Sequence, residues 1–221
     1  RRLLVDACFN KLFGLITVTK LPPEEVRGVG THTPDAYVLR DLLTFSMHKL
    51  TIAGAICSAV SCLLCTIAIA SPHWLAADLD LTEVHYGLWK NCSKDYKTGH
   101  EKCGLKDIFP DWTIATLFLE MTGLVLIVGA VVLEIVHICI PRYNHDADTI
   151  PGLYAITGGL VIIVGAIVWA VKYKDDQVLA MCHLSGGFSL AILSAAMSIT
   201  AGSLFLLAWR AEPREHSYMP I

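Results

Sequence analysis

Charge is scarce in this chain of 221 residues: only 17% of them are Asp, Glu, Lys or Arg, against about 25% in an average soluble domain. No Lys/Arg-rich run is interleaved with aromatic residues, and the net charge is −3, so nucleic acid is excluded as a partner. Also missing are a Gly-rich phosphate loop, a nucleophile elbow and a metal-binding His pair. The cluster His145-Asp146-Ala147-Asp148 reads as charged residues at helix ends rather than a metal site. No cofactor is implied, and the chain reads as non-catalytic.

What it does contain is hydrophobic residues, 54% of the total. After residue 49 they fall into four long runs, at about 50–70, 112–140, 152–173 and 181–209. Ser71-Pro72 closes the first, Pro141 closes the second, Pro151 precedes the third and Arg210 follows the fourth. Each holds roughly 20 residues or more, enough at about 1.5 Å per residue to cross a hydrocarbon core of about 30 Å. A soluble bundle of such helices would need a polar stripe on its solvent side. These runs have almost none, so the partner of all four is the lipid bilayer.

Exceptions inside the spans are few. Glu120, Glu134 and His137 lie in the second run, and ionisable groups at membrane depth are functional candidates by default. Glu120, about two turns in from Trp112, is expected within reach of the outer interface, and Glu134 and His137 near the opposite end, snorkelling or pairing inside the bundle. Small residues, among them Gly54, Gly123, Gly158, Gly159 and Gly202, let helices approach closely in lipid. Cys57, Cys62 and Cys65 lie in the first span, where a free thiol behaves as a small hydrophobe. Cys139, at the far end of the second, is a candidate for S-palmitoylation.

Four spans put both termini on one side and the long loop 71–111 on the other. Lysines in that loop leave the positive-inside count undecided. Cys92 and Cys103, with ten residues between them, suit a disulfide closing a small loop in an oxidising compartment. Asn91-Cys92-Ser93 fits the N-glycosylation acceptor pattern, which has meaning only outside the cytosol. Together they predict an extracellular loop, cytoplasmic termini and a multi-pass protein of the plasma membrane. Within the loop, Val84, Tyr86 and Leu88 alternate with His85 and Gly87 as in a strand, and Trp74 to Leu79 offers a partner.

The order Trp74, Gly87-Leu88-Trp89, Cys92, Cys103 reproduces the W…GLW…C…C signature of the first extracellular loop in the claudin superfamily, which the chain resembles over about residues 45 to 210. The superfamily includes claudins, peripheral myelin and epithelial membrane proteins, and stargazin-like channel gamma subunits. Claudins proper usually carry an Arg at the start of the second span. Here "PDWTIATLFLEM" has none, and "LWKNCS" looks closer to the myelin and epithelial membrane protein branch. The resemblance implies an all-α membrane protein: a left-handed four-helix bundle capped by a small extracellular β-sheet, with the Cys92–Cys103 disulfide joining two strands and Trp89 near the membrane surface. It also implies a role in cell–cell contact, junctions or membrane organisation, through self-association or another membrane protein. The alternative it carries is an auxiliary, gamma-like subunit of a channel or receptor.

Outside the four-span domain, 49–210, lie residues 1–48 and the tail 211–221, both expected in the cytoplasm. Leu12 to Val18 form an apolar core too short to span, so the first segment reads as an interfacial helix or a loosely ordered tail, and Pro22 to Pro34 as a linker. The start without Met suggests that more chain precedes it. Between Lys90 and Lys106 five lysines, Lys90, Lys94, Lys97, Lys102 and Lys106, stand against Asp95 and Glu101, a local charge of +3. They are candidates for selecting anions or contacting an acidic partner.

Overall fold

The computed structural model describes residues 34–79, 82–105, 110–139, 149–175 and 179–211. Four helices dominate: α1 (Pro34–Ala70), α2 (Asp111–Cys139), α3 (Thr149–Lys172) and α4 (Gly186–Ala211). All four are long and apolar enough to cross a membrane. Their ends follow local chemistry. Proline opens α1 and lies in the first turn of α3, where its missing N–H costs nothing. Asp111 sits in the first turn of α2, and Lys172 and Arg210 in the last turns of α3 and α4, each with the sign that the helix dipole favours. Pro72 follows α1 after Ser71.

Two boundaries differ from the sequence expectation. Helix α1 begins at Pro34, so residues 34–48, assigned to the N-terminal segment outside the four-span domain, are the upstream part of the same helix; the interfacial helix and linker expected before them lie outside the described residues. The fourth apolar run does not become helix at Met181. Leu179–Met181 forms a 3-10 turn and His183–Leu184 a short strand before α4 starts at Gly186.

That strand joins the loop sheet. The strands are β1 (Leu75–Leu79), β2 (Thr82–Tyr86), β3 (Lys90–Asp95), β4 (Glu101–Leu105) and β5 (His183–Leu184), in spatial order β4-β3-β2-β1-β5 and antiparallel throughout. The two-stranded pairing expected from the loop is therefore the middle of a five-stranded sheet. A hairpin alone would be marginal; here it is widened on one side by a second hairpin and on the other by the 3–4 link.

In the bundle α1 packs on α4, α3 lies between α4 and α2, and α1 and α2 touch more lightly. Along α2 the buried positions are Thr113, Thr116, Glu120, Gly123, Ile127, Ala130 and Glu134. They step by three and four, the seam expected of helices packed at a shallow angle. The lipid-facing stripe of the same helix carries Ile114, Phe118, Met121, Val125, Val128 and Val132, all exposed. Gly123 and Gly158 set the spacing of α2 and α3. A Cβ at either would lie 3.0 Å from the other's carbonyl oxygen, and one at Gly158 would lie 2.9 Å from Ile127 as well. Only a bare backbone lets the helices meet this closely.

Gly158→Leu should therefore force α2 and α3 apart and cost roughly 1–3 kcal/mol by overpacking, lowering the thermal stability of detergent-solubilised protein. Gly104→Ala, at a site with open space around it, is the matched control and should change little.

Candidate functional site

The candidate site is the sheet and its junction with the helices. It begins at Trp74, which is completely buried. The indole Nε1 donates to the carbonyl of Ala68 in the last turn of α1 at 2.8 Å, a carbonyl whose other donor is the Ser71 N–H at 3.3 Å, just past the helix end. Its ring meets that of Trp169 on α3 edge-on at 5.2 Å and that of Phe188 on α4 at 6.3 Å, and Trp169 in turn meets Trp112 on α2 at 5.1 Å. The Trp74 backbone is equally occupied: its N–H donates to Tyr86 O at 3.0 Å and its carbonyl accepts from Ser185 N–H at 3.0 Å. Gly187 N–H, at the start of α4, donates to His73 O at 2.7 Å.

The Gly87-Leu88-Trp89 turn closes the joint from above. A Cβ on Gly87 would lie 2.7 Å from Pro72 Cα and 2.8 Å from Ser71 O, so only glycine lets the β2–β3 turn rest on the end of α1. Leu88 is fully buried, whereas Trp89 is 42% exposed. The signature thus divides into a buried anchor, Trp74 with Leu88, and one side chain on the surface.

Cys92 and Cys103 form a disulfide between β3 and β4, across directly paired positions. With the register fixed there, every side chain of the loop can be assigned a face. His183, Ala76, His85, Cys92 and Cys103 run straight across the sheet on one face. Leu75, Ala77 and Tyr86, on the other face, belong to the apolar cluster shared with the helices.

This register breaks up the lysine group. Lys94 lies between Glu83 and Glu101 in the cross-strand row that also holds Asp78. Its charge is outnumbered by acidic neighbours, so it is not part of a basic patch. Lys90 shares its face, opposite Leu105; Lys102 points to the other face, opposite Ser93; Lys97 sits in the β3–β4 turn, its N–H bonded to Asp95 Oδ1 at 2.8 Å. Lys106 lies outside the described residues. Asn91 is within β3, between Tyr86 and Gly104, and its Oδ1 is buried.

Among the described residues, the grouping of three side chains that could hold a metal is Cys92, Glu101 and Cys103. Its two sulfurs are bonded to each other and cannot act as thiolates. Cys62 and Cys65, spaced C-x-x-C inside α1, are in no disulfide, and neither are Cys57 and Cys182. The backbone of Cys139 belongs to α2, while its side chain, like those of His137 and of the His145–Asp148 cluster, lies outside the described residues.

Glu120 corrects the sequence expectation most sharply. It is fully buried with neither carboxylate oxygen hydrogen-bonded, not reaching for the interface. Its position on the three-four seam was readable from the sequence. Glu134 behaves as the pairing alternative anticipated: it is buried, and Ser58 Oγ donates to its Oε1 at 2.7 Å.

The sequence reading also missed a histidine pair. His73 and His85 lie with ring centroids 4.2 Å apart and ring planes tilted by 51°, and Glu83 Oε1 is 3.2 Å from His85 Nε2. Partial burial, and then the charge of His85, hold His73 below its ordinary value of 6.5. The folded protein therefore prefers neutral His73, while the unfolded chain takes up a proton near pH 6.5, so this contribution to stability is present above that pH and is lost as the solution is acidified. Between about pH 7.5 and 5.5 the melting temperature should fall more steeply for the wild type than for His73→Gln. Equal slopes would remove His73 from the account.

The four spans, the sheet between the first two, the buried tryptophan and the disulfide agree with one comparison. Residues 47–205 match the model of the PMP-22/EMP/MP20/Claudin family, a stretch that takes in the four apolar helices almost entirely and the whole sheet. The chain is a multi-pass, claudin-like membrane protein and belongs to the PMP-22/EMP/MP20/Claudin family.

Proposed function

We propose that the protein is a non-catalytic organiser of membrane contacts: its sheet faces the cell exterior, its termini face the cytoplasm, and neighbouring molecules in the plasma membrane associate through the sheet. The observation that carries this reading is β4. It is an edge strand, all five of its residues are exposed, and no strand lies beside its outer edge among the described residues. An open row of backbone donors and acceptors, stiffened by a disulfide to its neighbour, is a template for pairing with another chain. Leu105, 77% exposed, and Tyr96, 53% exposed, add apolar surface at the two ends of this hairpin.

The exterior assignment is supported by the disulfide, which persists in an oxidising compartment, and by the acceptor sequence at Asn91 on the same end. Glycosylation of Asn91 and palmitoylation of Cys139 at the other end belong to this reading. Where molecules line a path between cells, Lys90 and Lys97 contribute the basic character on the disulfide face and at the hairpin tip, because Glu83 and Glu101 flank Lys94.

In cells without junctions, tagged protein should gather at contacts between expressing cells. Leu105→Glu should disperse it while changing stability by less than about 0.5 kcal/mol, as at most exposed sites. Accumulation that survives Leu105→Glu would reject the role of the edge. Diffuse wild-type protein that alters the gating of a co-expressed channel would favour the auxiliary-subunit reading, in which the apolar stripe of α2 docks on the channel.

A further inference from the structure

Glu120 sits in surroundings that offer a bare carboxylate nothing. Its Oε1 rests against Gly165 of α3, 3.1 Å from where a Cβ would stand, with Leu119 Cβ and the carbonyl oxygen of Thr116 at the same spot. From α1 the nearby titratable group is the buried thiol of Cys65, which hydrogen-bonds Ser194 of α4; Ser194 is also bonded to Ser61. On α2 itself Thr116 and Thr113 are buried one and two turns before it, and the Thr116 hydroxyl is already committed to Trp112 O at 3.0 Å.

No cation is at hand. Between the ends of the membrane-crossing stretches, Lys49–Ala70, Asp111–Val136, Thr149–Lys172 and Gly186–Arg210, there is no Lys, Arg or His. The nearest basic residue on α3 is Lys172, seven residues beyond Gly165 and so about 10 Å further along, exposed and paired with Asp175 at 3.0 Å. The other acids of α2 are Asp111, exposed at its start, and Glu134, about 21 Å along the helix and engaged by Ser58.

An ion held here would have no counter-charge and no hydrogen bond, and a buried charge without either is strongly disfavoured. A carboxylic acid brings its own donor. The carbonyl of Thr116, one turn back on the same helix and beside Gly165, has a free lone pair to accept it, as carbonyls do from Ser and Thr side chains.

We propose that Glu120 is a proton-binding site inside the bundle: its carboxyl carries a proton at neutral pH, donates it in a hydrogen bond to the Thr116 carbonyl, and so holds α2 closed against Gly165 of α3. Removing the proton leaves a charge that only water can satisfy, and water enters only if the two helices part. Proton occupancy and closure of the α2–α3 seam are thereby linked. The same group is the target of hydrophobic carbodiimides. The carboxyl O–H adds across one C=N bond, oxygen to the central carbon and proton to nitrogen, and the adduct rearranges to an N-acylurea with no atom lost.

The test is infrared spectroscopy of the full chain in lipid nanodiscs at pH 7. Wild-type protein should show the carbonyl stretch of a protonated carboxyl, shifted by deuterium exchange. Glu120→Gln should lose one carboxyl equivalent of it, and Glu134→Gln should keep the part due to Glu120. Equal band intensity in wild type and Glu120→Gln overturns the proposal. Should Glu120→Gln not be recovered folded, wild-type protein treated with dicyclohexylcarbodiimide and mapped by mass spectrometry decides. An adduct on Glu120 that fades as the pH is raised supports the site; labelling confined to other carboxyls rejects it.

Discussion

The indole of Trp74 is the one contact on which the rest of the architecture depends. Its N–H bonds the Ala68 carbonyl in the last turn of α1, its ring lies against aromatic rings of α3 and α4, and its own peptide groups bond β2 and the link into α4. Through Trp169 the contact extends to Trp112 at the head of α2. A single buried side chain thus touches or reaches every span and fixes where the sheet sits. Burial of a large ring with its N–H satisfied is the most productive use of an aromatic at a water–lipid boundary, where one end is apolar and the other wet. The rest of the signature serves this joint: Gly87 lets the next turn come down onto α1, and Leu88 is buried in the same apolar cluster as the indole.

Below the joint a different constraint rules. In lipid there is no hydrophobic force between helices, so the seams rely on close backbone approach and buried hydrogen bonds. The α2 seam shows both, with Gly123 and Ala130 at the close approaches and Thr and Glu elsewhere. Ser58 with Glu134, Ser61 with Ser194, and Ser198 with the Ala155 carbonyl cross-link α1 to α2, α1 to α4 and α4 to α3. Polar groups placed this way select one arrangement of four similar helices, because any rotation would strand them in hydrocarbon.

Much of this was legible in the sequence, for reasons of length and spacing. An apolar run of twenty residues has few fates, and the Trp, Gly-Leu-Trp and paired Cys order marks the loop and its disulfide. Other features escaped because their signals were masked. His183-Leu184 continues an apolar run without a break, so a strand there looks like the start of a span. Arg40, Asp41, His48 and Lys49 interrupt apolarity without interrupting helix, which hid the start of α1. Counting turns from Trp112 gave the depth of Glu120 but not the direction it faces; the three-four spacing from Thr113 to Glu134 carried that direction. The lysines looked like one patch because linear proximity says nothing of strand faces, and only the Cys92–Cys103 register separates Lys94 from Lys102.

The direct measurement of the account is amide hydrogen exchange on Trp74→Ala in lipid nanodiscs. Loss of a buried Trp should cost about 3–5 kcal/mol, and the account places that loss at the joint. Amides of β1, β2 and β5 and of the first turn of α4 should lose protection, while those in the middle of α2 and α3 keep theirs. Unchanged protection in the sheet, or an equal loss through all four helices, would contradict the claim that Trp74 is what docks the sheet on the bundle.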